Sequence, residues 1–346
     1  MNHNAPRPLR IGHEEGHVQL VHPDVLHVPG GFGGYPYWMA FTPYPFGDDR
    51  AENPVVRASR DGYHWERPEG VADPLVAAPS DPDVHHADTE LAFDGGRLHL
   101  LYMTTRKSTG ESTFSVLESG DGRNWSAPRV FQSGWQEVSP TVVVGRDGLW
   151  LWAVERLRGQ GPASFRLVLR RGADLFHLGP AEPCTVELPG YEPWHVDVVA
   201  TAGGYEALLA AFPAGTDNSH TRLFALASPD GRAFRPLPPV PLLGPSRWGW
   251  DNRMIYRSTF LKDPGGHYRI WYSAASWRWR FGVGYLEGTR GELAPSPRAE
   301  TVRPPFWTDL LPAGSRWARY HLKRRLPPAP RRALRALLKR DPPSRP

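Results

Sequence analysis

Three short stretches place a histidine and an aspartate two positions apart: His22-Pro23-Asp24, His86-Ala87-Asp88 and His195-Val196-Asp197. In an extended strand residues i and i+2 face the same way, so each pair is expected to project together. Other ionisable residues stand close by. Glu90 follows Asp88, Glu192 precedes His195, and Glu137, Arg253 and Arg257 hold comparable places in two further segments. Carboxylates a few ångströms apart push one another's pKa values apart, so that one stays protonated while another stays ionised. Glycosidic bond hydrolysis needs such a pair, one acid for the leaving oxygen and one carboxylate to attack carbon or activate water. Asp24, Asp88, Glu137, Glu192 and Asp197 are therefore the candidate catalytic carboxylates. His22, His86, Glu90, His195, Arg253, Tyr256 and Arg257 are candidates for hydrogen bonds to hydroxyls or to an anionic group. Trp194, Trp248 and Trp250 are candidates for stacking on a sugar ring.

What could bring these segments together is written in a repeated turn. Ser59-Arg60-Asp61-Gly62-Tyr63-His64-Trp65 returns as Ser119-Gly120-Asp121-Gly122-Arg123-Asn124-Trp125 and again as Ser228-Pro229-Asp230-Gly231-Arg232-Ala233-Phe234. A degenerate copy, Arg171 to Phe176, falls midway between the second and third. Each unit reads as four short strands rich in β-branched and aromatic residues, punctuated by Gly and Asp. Five such units fit between about residue 20 and residue 290, and a period of this length with several strands per unit indicates propeller blades. The expected fold is all-β: residues 1–17 as an N-terminal extension, 18–300 as a five-bladed β-propeller with four-stranded antiparallel blades, and 301–346 as a basic, Pro-rich tail. The Ser/Asp/Gly turn is expected to be structural, its aromatic residue packing between neighbouring blades. Innermost strands line the channel of a propeller, and their first residues converge at its mouth, where a ligand would sit.

Five blades with acidic inner-strand starts resemble the glycosidase superfamily that contains glycoside hydrolase families 43, 32, 68 and 130. The resemblance covers about residues 18–290 and implies action on furanosides, fructosides or mannosides. It implies that Asp24, in His22-Pro23-Asp24-Val25, is the general base or nucleophile. Family 43 would place a second Asp at the start of blade three, where Ser139-Pro140 stands here, and its general acid is a Glu opening blade four, near Glu192. The acid role is therefore open among Glu137, Glu192 and Asp88, and the chain is not a standard member of any one of these families. The leading expectation is a glycoside hydrolase. A non-catalytic sugar-binding propeller and a phosphorylase or transferase, the latter using Arg253, Arg257 and His195 on phosphate, stay open beside it.

Composition narrows the rest. The chain has 346 residues and one cysteine, Cys184, so an intramolecular disulfide is excluded. The net charge of +5 conceals a division: eleven Lys/Arg and one acid lie between Arg316 and Pro346, which leaves residues 1–315 at −5. An oligo- or polysaccharide is the expected substrate, the basic tail is suited to an anionic surface, and no specific nucleic-acid binding is expected. No catalytic cofactor or metal is expected, although the channel carboxylates would suit a structural Ca²⁺. The N-terminus lacks the apolar stretch of a secretory signal, which leads to a cytoplasmic expectation.

Overall fold

Alternating strands that bury one face each need a partner sheet, and a ring of blades supplies one on both sides. The computed structural model describes residues 4–12, 18–145, 148–157 and 164–302. Five sheets, antiparallel but for one short outer pair, follow one another along the chain. Their first strands are Leu20–Phe32, Val84–Phe93, Glu137–Gly145, Tyr191–Thr201 and Met254–Lys262. Each packs beside the next and the fifth packs beside the first, so the ring closes. Blades two and three have four strands; blade four gains a fifth outer strand, Thr185–Val186, which pairs parallel to Ala233–Pro236. In blades one and five the outer edge shrinks to the isolated bridges Ala58–Glu66 and Glu287–Ala294. The basic tail lies outside the described residues.

The N-terminal segment is no free extension where it is described. Leu9 and Ile11 are buried with Trp271, Val283 and Tyr285 of blade five and with Leu20 and Phe41 of blade one. The Leu9 amide donates to the Val283 carbonyl at 2.7 Å, and the Ala5 amide to Tyr272 Oη at 2.8 Å. The chain's beginning therefore seals the junction between first and last blades.

The repeated turns share one hydrogen-bond scheme. In each, Asp Oδ1 accepts the amides two and three residues on: Tyr63 and His64 for Asp61, Arg123 and Asn124 for Asp121, Arg232 and Ala233 for Asp230. The glycine has positive φ, +74° at Gly122, and packs on Trp38 of the preceding blade, which leaves no room for a Cβ. The closing aromatics Trp65, Trp125 and Phe234 enter the apolar clusters between adjacent blades, as expected. Ser59 pairs with Tyr37, beside the hairpin at Gly33 and Gly34, so these turns occupy the end opposite the starts of the inner strands.

Candidate functional site: a histidine-carboxylate mouth above a structural ring

Each inner strand carries a register shift near its start: Val21/Asp24, Ala87/Glu90, Val138/Thr141, Pro193/His195 and Ile255/Ser258. In the first three blades the bulge contains a non-glycine residue in the left-handed region, His22 (φ 53°), Asp88 (φ 45°) and Ser139 (φ 55°). Such a residue re-aims side chains and breaks the alternation across it. Residues after it keep step with it; residues before it do not.

Two layers result. The deeper one contains Asp24, Glu90, Thr141, Asp197 and Thr259, one from each inner strand. Every member accepts the amide of the next blade's inner strand: Leu91 N to Asp24 Oδ2 (2.6 Å), Val142 N to Glu90 Oε1 (2.7 Å), Val198 N to Thr141 Oγ1 (3.2 Å), Phe260 N to Asp197 Oδ2 (3.0 Å) and Val25 N to Thr259 Oγ1 (3.2 Å). Thr141 and Thr259 also donate to Asp197 and Asp24. The three carboxylates lie within 4.8 Å of one another. Arg257, fully buried, balances them and donates to Glu90 Oε2 at 2.6 Å and to the Pro140 carbonyl at 3.0 Å. Burial, opposed by Arg257, raises the Asp24 carboxyl; burial and then Asp24 raise Glu90 well above its usual range; burial lifts Asp197 to about 7. These groups hold blades together, and their oxygens are already engaged.

The layer above is different. His22 Nε2 lies 3.2 Å and His195 Nδ1 3.4 Å from the same Asp88 Oδ1, with Arg257 Nη1 at 4.0 Å. These two nitrogens, the other His195 nitrogen and that oxygen are buried and lack any hydrogen-bond partner. The second Asp88 oxygen accepts the Ser139 amide at 3.0 Å, which fixes the carboxylate. The far edge of His22 is occupied: Nδ1 faces Thr42 Oγ1 at 3.0 Å, the Asp88 amide at 3.3 Å and Glu52 Oε1 at 3.5 Å, which leaves Nε2 aimed at Asp88. Burial lowers His22 to about 4 and His195 to about 3, so both rings are neutral at pH 7. Burial would raise Asp88, but His22, His195 and Arg257 together hold it below its ordinary value. Two neutral imidazoles and an ionised carboxylate are the donor set of a divalent first-row metal. Donors about 2.1 Å from a tetrahedral cation stand about 3.4 Å apart, close to the separations found.

Several expected residues sit elsewhere. His86 precedes the left-handed Asp88, so it turns away from it and bonds Thr104 Oγ1 (2.9 Å) and the Ala77 carbonyl (3.2 Å). Its neighbour His85 takes the channel side, half-buried, with a buried Nδ1 that has no partner. Glu137 lies outside both layers, ion-paired with Arg170 at 2.6 Å. Glu192 is half-buried and belongs to neither layer. Trp250 is buried: its indole stacks on Tyr272 and donates to the Ala5 carbonyl, so it offers no face to a ligand. Arg257 is likewise sealed beneath the mouth. Tyr256 wedges between His195 (ring centroids 4.4 Å) and His22 (5.2 Å), and Trp194 meets His195 edge-on at 5.2 Å. Arg253 and Trp248 lie on the rim. Glu52 was not foreseen. It lies in the mouth-side loop between Tyr35–Pro43 and Val55–Ser59, is buried, and its carboxyl is raised well above the usual range by burial and then by Asp88. No periodic signal marks it; only its loop's position does.

No family model matches the sequence. The A type blood N-acetyl-alpha-D-galactosamine deacetylase of Flavonifractor plautii is 28% identical over 316 aligned residues, covering 74% of this chain, and the chain spans 40% of that protein's length. The crystal structure of an N-acetylgalactosamine deacetylase from F. plautii, in complex with blood group B trisaccharide, superposes with a TM-score of 0.74 at 23% identity, covering 82% of this chain and 94% of that one. A thermostable family-43 glycoside hydrolase superposes with a TM-score of 0.59 at 12% identity, covering 86% and 98%. These neighbours are carbohydrate-processing enzymes. The chain is a five-bladed β-propeller of the architecture shared by the family 43 glycoside hydrolases and this deacetylase.

Proposed function

We propose that this protein is a metal-dependent N-deacetylase of acetamido sugars. One observation carries the reading: three buried donor atoms, one each from His22, Asp88 and His195, converge without a hydrogen-bond partner at the channel mouth. Leaving such atoms unpaired costs free energy that a cation would recover. The deacetylase relative supports the choice of an acetamide as the reacting group. A glycosidase pair is less well supported, because Asp24, Glu90 and Asp197 are committed to backbone amides, and their remaining oxygens to Thr259, Arg257 and Thr141.

His22, Asp88 and His195 would hold the cation, which when bound polarises the acetamide carbonyl and acidifies water. Glu52 stands on the far side of His22, 3.5 Å from Nδ1, where it orients the ring whose Nε2 would hold the cation. In this reading the oxygen of the attacking water bonds the carbonyl carbon and its proton passes to the sugar nitrogen as the C–N bond breaks, giving acetate and a free amine. Tyr256 and Trp194 wall the pit beside His195 and orient the ring.

The test is acetate release from oligosaccharides ending in N-acetylgalactosamine or N-acetylglucosamine, with and without chelator. Activity should vanish with EDTA and return with zinc, manganese or cobalt. Asp88→Asn should lose about 10³-fold, and Asp24→Asn less than about tenfold. Reducing sugar released with its acetamide intact, indifferent to EDTA and abolished by Asp24→Asn, would establish the glycosidase instead.

A further inference from the structure

Blade five presents two mouth-side loops, residues 244–253 and 276–280, that read Ser246-Arg247-Trp248 and Ser276-Trp277-Arg278-Trp279-Arg280. Trp248, Trp277 and Trp279 are 76%, 59% and 43% exposed. Exposed indoles in one place are costly for a soluble surface unless something covers them. The Arg253 guanidinium lies over Trp279 at 4.1 Å and over Trp277 at 5.0 Å, and Arg247 lies over Trp248 at 5.3 Å. Among the described residues no carboxylate pairs with Arg247, Arg253 or Arg278, and the Arg253 Nε is buried without a partner. The one acid of these loops, Asp251, is buried and occupied by Asn4, Ser246 and Tyr272. Trp279 is held in the left-handed region (φ 51°), a conformation that non-glycine residues adopt only under constraint.

This patch adjoins the mouth through the core beneath it. Trp279 meets the buried Phe281 (centroids 5.9 Å), Phe281 meets Tyr256 (6.5 Å), and Tyr256 meets His195 (4.4 Å). On the neighbouring rims blade four carries the exposed Asp217 beside His220, and blade one carries the half-buried Asp49, ion-paired with Lys107. The patch's arginines and indoles are suited to a short acidic oligosaccharide.

We propose that the blade-five rim binds an acidic sugar, carrying a carboxylate or sulfate, that adjoins the N-acetylhexosamine in the mouth. Indole faces stack on sugar C–H groups, and a planar guanidinium takes a carboxylate or sulfate through paired hydrogen bonds. The substrate class is then an anionic glycan containing acetamido sugars. The identity of the sugar in the mouth rests on the deacetylase reading; the charge preference of the rim does not.

Binding to the full chain separates the two. Calorimetry and tryptophan quenching would use a tetrasaccharide alternating N-acetylhexosamine and uronic acid, its methyl ester, and a sulfated N-acetyllactosamine tetrasaccharide. The acid should bind about tenfold tighter than the ester, the size of one charge-assisted hydrogen bond, with the gap narrowing as salt rises. Arg253→Gln with Arg278→Gln should erase that gap, with thermal unfolding checked for an intact fold. Tighter binding of the sulfated probe that the same pair of substitutions abolishes assigns the site to sulfate, and preference for the uronate alone assigns it to carboxylate. Equal binding of acid and ester overturns the proposal, as does an acid preference that survives both substitutions, which would place it on the basic tail or elsewhere. Acid preference without acetate release from any probe would defeat the deacetylase and leave this inference standing.

Discussion

Replacing Thr141 by valine tests whether the deep layer is scaffold or chemistry. The substitution keeps the shape of the side chain and removes its hydroxyl, which accepts the Val198 amide at 3.2 Å and donates to Asp197 Oδ1 at 3.2 Å. Thr141 and Asp197 are buried, so water does not replace either bond. An orphaned buried amide costs about 1–3 kcal/mol and the lost hydroxyl donor about 1 kcal/mol more, for a total of about 2–4 kcal/mol. At about 2 °C per kcal/mol for a domain of this size, the melting temperature should fall by about 4–8 °C. Differential scanning calorimetry reads that fall, and acetate release at 25 °C reads the chemistry, which should stay within about threefold of wild type because no reacting group has moved. A melting temperature unchanged within about 1 °C would refute the ring as a stabilising device. A collapse of turnover without loss of stability would show that the deep carboxylates react.

The remaining expectations are narrower. Zinc at 100 times its dissociation constant should add about 2.7 kcal/mol of stability, read as a rise in melting temperature that Asp88→Asn abolishes; no rise in wild type would remove the metal from the mouth. Gly122→Ala combines positive φ with a Cβ forced into Trp38, so urea unfolding should show a loss above about 2 kcal/mol, where an exposed loop glycine would show almost none. Asp230 is held at about 2 by the backbone amides of Ala233 and Arg232. A carboxyl depressed on folding contributes stability above its unfolded pKa of about 4 and loses it as pH falls toward 2, so Asp230→Ala should flatten the acid limb of a stability-against-pH curve. An acid limb identical to that of the wild type would contradict this.

Much of the architecture was legible because it is written locally. The Ser-x-Asp-Gly turns, with an aromatic three residues after the glycine, encode blade boundaries within seven residues, and the structure uses every one of those side chains in place. The inner-strand pairs were legible only where the strand is regular. His22/Asp24 and His195/Asp197 follow or include the bulged residue and do face the channel together. His86/Asp88 ends on a left-handed residue, Asp88 itself, so simple alternation chose His86 where the fold turns it away from Asp88. A positive φ on an aspartate leaves no trace in composition. Glu52 was invisible for a different reason: a loop of short 3-10 turns, capped by Asp48, carries it to His22 from another part of blade one, and loops have no period to read. The division of carboxylates into a mouth and a ring could not be inferred from residue type, since both layers use Asp and Glu.

The ring of side chain to amide bonds runs in one direction around the channel, each blade supplying an acceptor to its successor and a donor to its predecessor. A chain cut to four blades would strand one acceptor at one end and one buried donor at the other. The same is true of a protein with one blade opened by heat or denaturant. Partial assemblies therefore gain little of the final stability, and loss of one blade propagates to the rest. The propeller should behave as a single cooperative unit despite its repeated construction, unlike solenoids whose repeats melt piecemeal from the ends.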